Sequence, residues 1–427
     1  MSEKQLISPR IEALRKGLAE GKSDALELFW HEVAEAGAPL IEAIEGEPND
    51  HLVTILWRDQ GDTENVVAVG SAMAGWRDWQ KHLLTRLPAS DLWYKTYRFR
   101  SDLRTGYWLS HNDPLRDLEE YKNWRDRMTT FRLDPLNPLN HTYPKDEEIS
   151  DDEAWSFSLL ELPDAPAQPW ITPRSDVPHG KVELFRLKSK ILGNERRVYL
   201  YTPPGYTPDG DTYGLLLVFD GQAYIDPGLV PTPTILDNLI AEGKIPPLVA
   251  VLPDSLDQKT RSRELPCYEP FVEYLKQELL PWVHARYHVT SDPTHAIVAG
   301  SSYGGLAAAF VASKAPEVFG NVLSQSGAFR WNLREREEGV HDPNEEAWLI
   351  RQFVTSPKLP LRLYLEVGLL ERSATDDMVV MNRRMRDVLE AKGYDIMYSE
   401  YNGGHDYICW RGSLADGLVW LTGTQTH

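Results

Sequence analysis

Residues 294–312, THAIVAGSSYGGLAAAFVA, constrain this chain more than any other stretch. THAIVAG is apolar without alternation, the pattern of a strand covered on both faces. LAAAFVASKA is small and apolar, the pattern of a helix packed closely against its neighbours. Between them stand only Ser301, Ser302 and Tyr303, hemmed in by Gly300, Gly304 and Gly305, with no room for a loop. A buried strand that turns at once into a buried helix is a βα unit, and it commits the chain to a parallel sheet.

The sequence after residue 180 carries that rhythm throughout. KVELFRLKS and RRVYLYTPP read as strands. YGLLLVFDG (213–221), PPLVAVLPD (246–254), THAIVAGSS (294–302), GNVLSQSG (320–327), LRLYLEVG (361–368) and DIMYSEYNGG (395–404) follow as strands alternating with helical runs. Among those runs, FVEYLKQELLPWV (271–283) and MVVMNRRMRDVLEAKG (378–393) are amphipathic, and the second closes on Gly393.

The first part of the chain has a different period. Ser8-Pro9 starts a helix whose Ile11, Leu14 and Leu18 share a face, and Ser23 is placed to cap a second helix that ends near Gly37. HLVTILWRD (51–59), ENVVAVGS (64–71), DLWYKTYRFR (91–100) and TGYWLS (105–110) are β-branched and aromatic, separated by turn residues as in an Ig-like β-sandwich. Residues 134–140, DPLNPLN, are loop material. The expected organisation is a substrate-capping N-terminal domain over 1–150, a Pro- and Asp-rich connector over 151–180, and an α/β catalytic domain over 181–427.

The formal net charge of −19 excludes a basic nucleic-acid-binding face. No apolar run approaches the roughly 20 residues that span a bilayer. The opening MSEKQLISPRIEALRKGL is charged and lacks an apolar h-region, so no signal peptide is expected. Cys267 and Cys409 are too few for a disulfide framework and read as buried thiols suited to a cytoplasmic setting. No metal-ligand motif is present, and no cofactor is expected.

Gly300-Ser301-Ser302-Tyr303-Gly304 is a G-x-S-x-G between a strand and a helix, the context of a nucleophile elbow. Ser302 holds the central position, and the N–H of Tyr303 at the helix start can face an oxyanion. A serine hydroxyl needs a base. Three histidines follow Ser302: His341 in a charged loop, His427 at the end, and His405 in NGGHDYICW just after the last strand. His405 is the expected base. For the acid, Glu366 falls within a strand, while Glu371 stands in the loop after Gly368, where an orienting carboxylate belongs. Asp376 and Asp377 are alternatives that suit a helix cap. The second oxyanion donor is expected from the N–H of Gly221 or Gln222 in VFDGQAY.

FDGQ, RSRELPC, GSSYGG, LSQSG, LEVGLLE and NGGHDYICWRG, in this order, resemble the enterochelin (ferric enterobactin) esterases across 180–427. A helical lead-in and β-sandwich with DPLNP fit the same family's first part. The resemblance implies a hydrolase of the α/β-hydrolase fold, esterase-D-like, that cuts the serine trilactone of iron-loaded catecholate siderophores inside the cell. It implies Ser302 as nucleophile, His405 as base and Glu371 as acid, although some members work with a serine–histidine pair alone. Iron then belongs to the substrate. A ferric tris-catecholate is an anion, so a protein at −19 needs local cations and aromatic surface to receive it. Arg261, Arg263 and Arg411, with Trp410 and Tyr407 beside His405, are the candidates, each arginine being equally suited to a structural ion pair. Two rival readings remain: a general carboxylesterase of the feruloyl or thioester type, and a non-catalytic siderophore-binding protein.

Overall fold

The computed structural model describes residues 6–73, 79–116, 128–149, 153–210, 212–333, 347–372 and 377–423. His341, Asp376 and His427 lie outside these residues. The chain divides into two compact units, Met1–Pro166 together with Asn402–Asp406, and Ala167–Tyr401 together with Tyr407–His427.

The first unit opens with the helix Pro9–Ala19, capped by Ser8, whose Oγ accepts the Ile11 N–H at 3.2 Å. The second helix, Ala25–Ala36, has Asp24 rather than Ser23 at its N-cap and closes on Gly37 at φ 79°. Strands β1 (Leu40–Ile44), β2 (Glu47–Arg58), β3 (Val66–Gly70), β4 (Thr85–Arg86), β5 (Leu92–Arg100), β6 (Arg104–His111), β7 (Phe131–Arg132), β8 (Asn140–Tyr143) and β9 (Trp155–Glu161) build two antiparallel sheets. One runs β1-β2-β5-β4. The other runs β3-β6-β9-β8, with β7 on β6. The helices place Ile11, Leu14, Phe29, Trp30 and Val33 on Leu40, Leu56, Leu92 and Tyr94 of the first sheet. Val53 and Ile55, on the other face of β2, are also fully buried, so this sheet is covered on both sides.

Strand β9 lies within the stretch that composition assigns to the connector. WSFSLLE has strand character, but it is short and embedded among Asp, Glu and Pro, whose weight dominates any composition window. The DPLNPLN segment is a loop that turns two polar side chains, Asp134 and Asn137, into the interior while Pro135, Pro138 and Leu139 stay exposed. Tyr107 donates its O–H to Asp134 at 2.7 Å, Asn137 donates to Tyr107 Oη and to the Leu159 carbonyl, and the Asp134 N–H donates to Ser158 Oγ. These bonds satisfy the two polar side chains that the loop buries.

The second unit is one eight-stranded sheet: β10 (Lys181–Ser189), β11 (Asn194–Thr202), β12 (Gly214–Val218), β13 (Leu248–Pro253), β14 (Ala296–Ser301), β15 (Asn321–Gln325), β16 (Arg362–Gly368) and β17 (Asp395–Tyr401). The order is β10-β11-β13-β12-β14-β15-β16-β17. The β10–β11 and β11–β13 pairs are antiparallel, and all others are parallel. The chain passes from β12 to β13 on one side and then returns to place β14 on the other. That reversal opens a crevice at the carboxyl ends of β12 and β14, where ligands of such sheets bind. The helix Tyr303–Lys314 is buried from Gly304 through Ala312, which explains its small apolar sequence. The predicted helix 271–283 is continuous but passes from Glu269–Tyr274 through a π turn, Leu275–Leu279, into Leu280–His284. Cys267 and Cys409 are buried and unbridged. Among the described residues no helix is long and apolar enough to cross a membrane.

Candidate active site

Strand β14 ends at Ser301 and the next helix begins at Tyr303, leaving Ser302 alone in the turn at φ 57°, ψ −120°. That region is costly for a residue with a side chain, about 1–3 kcal/mol, and the backbone around it holds it there. The Ser302 N–H donates to the Gln325 carbonyl at 2.9 Å, while its own carbonyl accepts from Leu306 and Ala328, each at 3.0 Å. A Cβ on Gly300 would stand 2.7 Å from the Gly304 carbonyl carbon, so strand and helix approach this closely only because residue 300 is glycine. The two adjacent serines separate: Ser301 is wholly buried, and Ser302 is partly exposed.

The loop after β12 supplies the facing element. Asp220 is left-handed (φ 59°, ψ 47°) and opens the short helix Gly221–Tyr224. The N–H groups of Gly221 and Gln222 fall in its first turn, where no intrahelical acceptor exists. The Asp220 carboxylate accepts from Ser255 Oγ at 2.6 Å and from Arg261 Nε and Nη2, both at 2.8 Å. Arg261 Nη2 also reaches the Ser301 carbonyl at 3.5 Å, and its guanidinium lies 5.7 Å from the centre of the Tyr303 ring. Arg261 thus ties the 220–222 loop to the elbow. Gln222 turns its side chain away, its Oε1 accepting the Ser255 N–H.

Glu371 is buried beyond the end of β16. Its Oε1 accepts from Ser326 Oγ at 2.6 Å, the Gly368 N–H at 2.8 Å and the Tyr401 O–H at 3.4 Å. Ser326 also accepts from Trp410 Nε1 at 3.1 Å. It directly follows Gln325, whose carbonyl holds the Ser302 N–H, so one residue step joins the candidate acid to the elbow. Ser326 is the site residue that the LSQSG stretch does not announce as functional; a small polar residue just past the strand beside the elbow is the signal. Asp377 is the N-cap of the helix Met378–Ala391, accepting the Val380 N–H at 2.9 Å.

Glu366 lies within β16 and is 1% exposed. It accepts from Gln325 Nε2 at 3.0 Å and from Ser413 Oγ at 2.5 Å. Burial, assisted by the nearby Asp416 and Glu371, pushes its carboxyl up to about 8. The folded state therefore binds this proton more tightly than the unfolded chain. Its contribution to stability is complete below about pH 4.5 and is lost as pH rises through about 8. Thermal melts between these limits are expected to show stability declining by up to about 1.4 kcal/mol per pH unit from this group. Glu366→Gln, which keeps the acceptor oxygen, should flatten that decline. An unchanged slope in the variant would reject the assignment.

The candidate cations all have partners within the molecule. Arg263 bonds Glu264 at 2.6 Å with half its side chain exposed, and Glu264 is shared with the buried Arg196. Arg411 donates to Gln168 Oε1 at 2.8 Å and to the Gly228 carbonyl at 3.3 Å. Trp410 is 2% exposed, so its ring is part of a wall rather than a surface. Tyr407 is partly exposed and packs edge-on against Trp410 at 5.0 Å and Tyr224 at 6.2 Å.

His405 lies in Asn402–Asp406, the segment that joins β17 to the helix Tyr407–Thr422 and clusters with the first unit. The Asp406 N–H donates to the Gly404 carbonyl at 3.0 Å, closing a three-residue turn with His405 at its tip. His405 is exposed, and Gly403 and Gly404 before it are buried.

A strained serine between a parallel strand and a helix, beside a second loop of helix-start N–H groups, defines the α/β-hydrolase class. Residues 189–421 match the putative esterase family, and residues 52–171 match the enterochelin esterase N-terminal family. The chain belongs to the enterochelin esterase family. It is 32% identical to the iron(III) enterobactin esterase of Dickeya dadantii, with 92% of each chain covered. It is 28% identical to the iron(III) salmochelin esterase of Escherichia coli, covering 97% of this chain and 98% of that one. The crystal structure of the ferric enterobactin esterase from Salmonella typhimurium superposes with a TM-score of 0.75 at 28% identity, over 91% of this chain and 98% of that one. The Shigella flexneri enterobactin esterase, crystallised in the presence of enterobactin, gives 0.72 at 28% identity, over 90% and 95%.

Proposed function

We propose that this protein is a serine esterase that hydrolyses the trilactone of ferric, enterobactin-type catecholate siderophores and thereby frees iron inside the cell. The likeness over nearly the whole chain carries this reading: relatives sharing both halves are esterases of iron(III) enterobactin and iron(III) salmochelin. In the proposed reaction His405 takes the Ser302 proton as Oγ attacks a lactone carbonyl. The N–H groups of Tyr303 and of Gly221 or Gln222 receive the oxyanion. His405 then passes its proton to the leaving serine oxygen, and a water activated by the same imidazole hydrolyses the acyl-enzyme. Glu371 orients the imidazole and stabilises its cationic form. Iron enters as part of the substrate. Opening the ring and cutting the remaining esters turns one hexadentate ligand into separate arms that no longer hold the metal in concert.

Mass analysis of products tests the reading. Ferric enterobactin is expected to gain one water for each ester opened, giving linear and then monomeric dihydroxybenzoyl-serine, faster than simple aryl esters are cut. Equal turnover of aryl esters with the siderophore left intact would instead mark a general carboxylesterase.

A further inference from the structure

The proposed base is held by residues some 300 positions away in the sequence. Both neighbours of His405 are locked to the β3–β6 region of the first unit. The Asp406 carboxylate accepts, through Oδ2, the Gly106 N–H at 3.2 Å and the buried Thr105 O–H at 3.3 Å. On the other side, a Cβ on Gly404 would overlap Ser71, which follows β3 directly. Upstream, the Arg104 N–H donates to the Asn402 carbonyl at 3.3 Å, Arg104 pairs with Gly403 in a parallel bridge, and Asn402 Nδ2 donates to Asp102 at 2.7 Å. The segment behaves as a short added strand on the start of β6, ending in a turn whose tip is the imidazole.

We infer that Asp406, with Thr105 and the Gly106 N–H as its partners, is a positioning residue for His405. This rests on the reading of His405 as base. Before the turn the backbone is held by the Gly403 bridge and by the close approach of Gly404 to Ser71. After it, the Asp406 carboxylate clamp supplies the matching anchor, so the exposed His405 is fixed from both sides. A base displaced by about 1 Å loses on the order of 100-fold in rate.

The test uses the full chain with two substrates, ferric enterobactin and p-nitrophenyl acetate, and the rate at which a fluorophosphonate labels Ser302. Asp406→Ala is expected to lower kcat and the labelling rate by about 10–100-fold on both substrates, with KM within about twofold. Asp406→Asn, whose amide oxygen can still accept both bonds, should recover most of the loss. Thr105→Val, which removes one donor, should fall between and serves if Asp406→Ala fails to fold by circular dichroism. The clamp is refuted if folded Asp406→Ala keeps its kcat, or if its loss is confined to KM for the siderophore. His405→Ala separates the two levels. If it is inactive while Asp406→Ala is normal, only the clamp falls. If His405→Ala itself turns over p-nitrophenyl acetate normally, the base assignment falls and the clamp with it.

Discussion

Replacing Ser302 by alanine is expected to lower kcat by about 10⁴–10⁶-fold, because nucleophile and base act as a unit and neither compensates for the other. The fold should survive, since the backbone bonds of Ser302 to Gln325, Leu306 and Ala328 do not involve the hydroxyl. Ser302→Gly carries the argument further. At φ 57°, ψ −120° a glycine escapes the strain that any side chain meets, so this variant should be as inactive yet more stable by about 1–2 kcal/mol. Steady-state kinetics with thermal melts of the three proteins check both halves. A glycine variant no more stable than the alanine variant would show that the elbow stores no strain, and residual activity near wild type would remove Ser302 from the mechanism.

The second large effect is expected at Arg261. Its side chain is 15% exposed and that of Asp220 is fully buried, and the guanidinium forks onto the carboxylate through two bonds. Arg261→Met leaves a buried carboxylate without its cation, which costs about 3–5 kcal/mol. Asp220 immediately precedes the Gly221 and Gln222 N–H groups, so kcat should fall for every ester alike. Arg261→Lys should recover little, because an ammonium cannot form the fork. An anion-clamping role predicts the opposite split: KM for the ferric siderophore rises, and turnover of a neutral aryl ester is untouched. Kinetics of both variants on the two substrates, with denaturant melts, decide between them.

What the sequence makes legible here is what is decided locally. The elbow is readable because two glycines at fixed offsets and a buried strand are all it needs. Chain order together with its place just after the last strand is what marks His405 rather than His341 or His427 as the proposed base. The carboxylate roles divide by position: Glu366 within the strand, Glu371 beyond it, Asp377 on a cap. The fate of a charged side chain is not local. Arg261 meets a partner 41 residues upstream, and the Asp406 carboxylate meets one 300 residues upstream. Nothing in RSRELPC or NGGHDYICW announces either contact. Strand β9 is obscured for a related reason: its seven residues gain their stability from pairing with β6 and β8, not from their own composition.

The sheet of the second unit also bears on how such a chain can change over time. The residues at 220–222, 302, 326 and 371 each follow the carboxyl end of a different strand: β12, β14, β15 and β16. The chain returns to the amino ends through segments such as 356–361 and 392–394, which carry none of them. Changes at the exposed positions of those return turns, away from the buried Leu361 and Tyr394, should leave the proposed reacting groups in place. Loops at the opposite end are where a change of one residue can redirect which ester is accepted. A library aimed at new substrates belongs on that end, and an affinity tag or a fused domain belongs on the other.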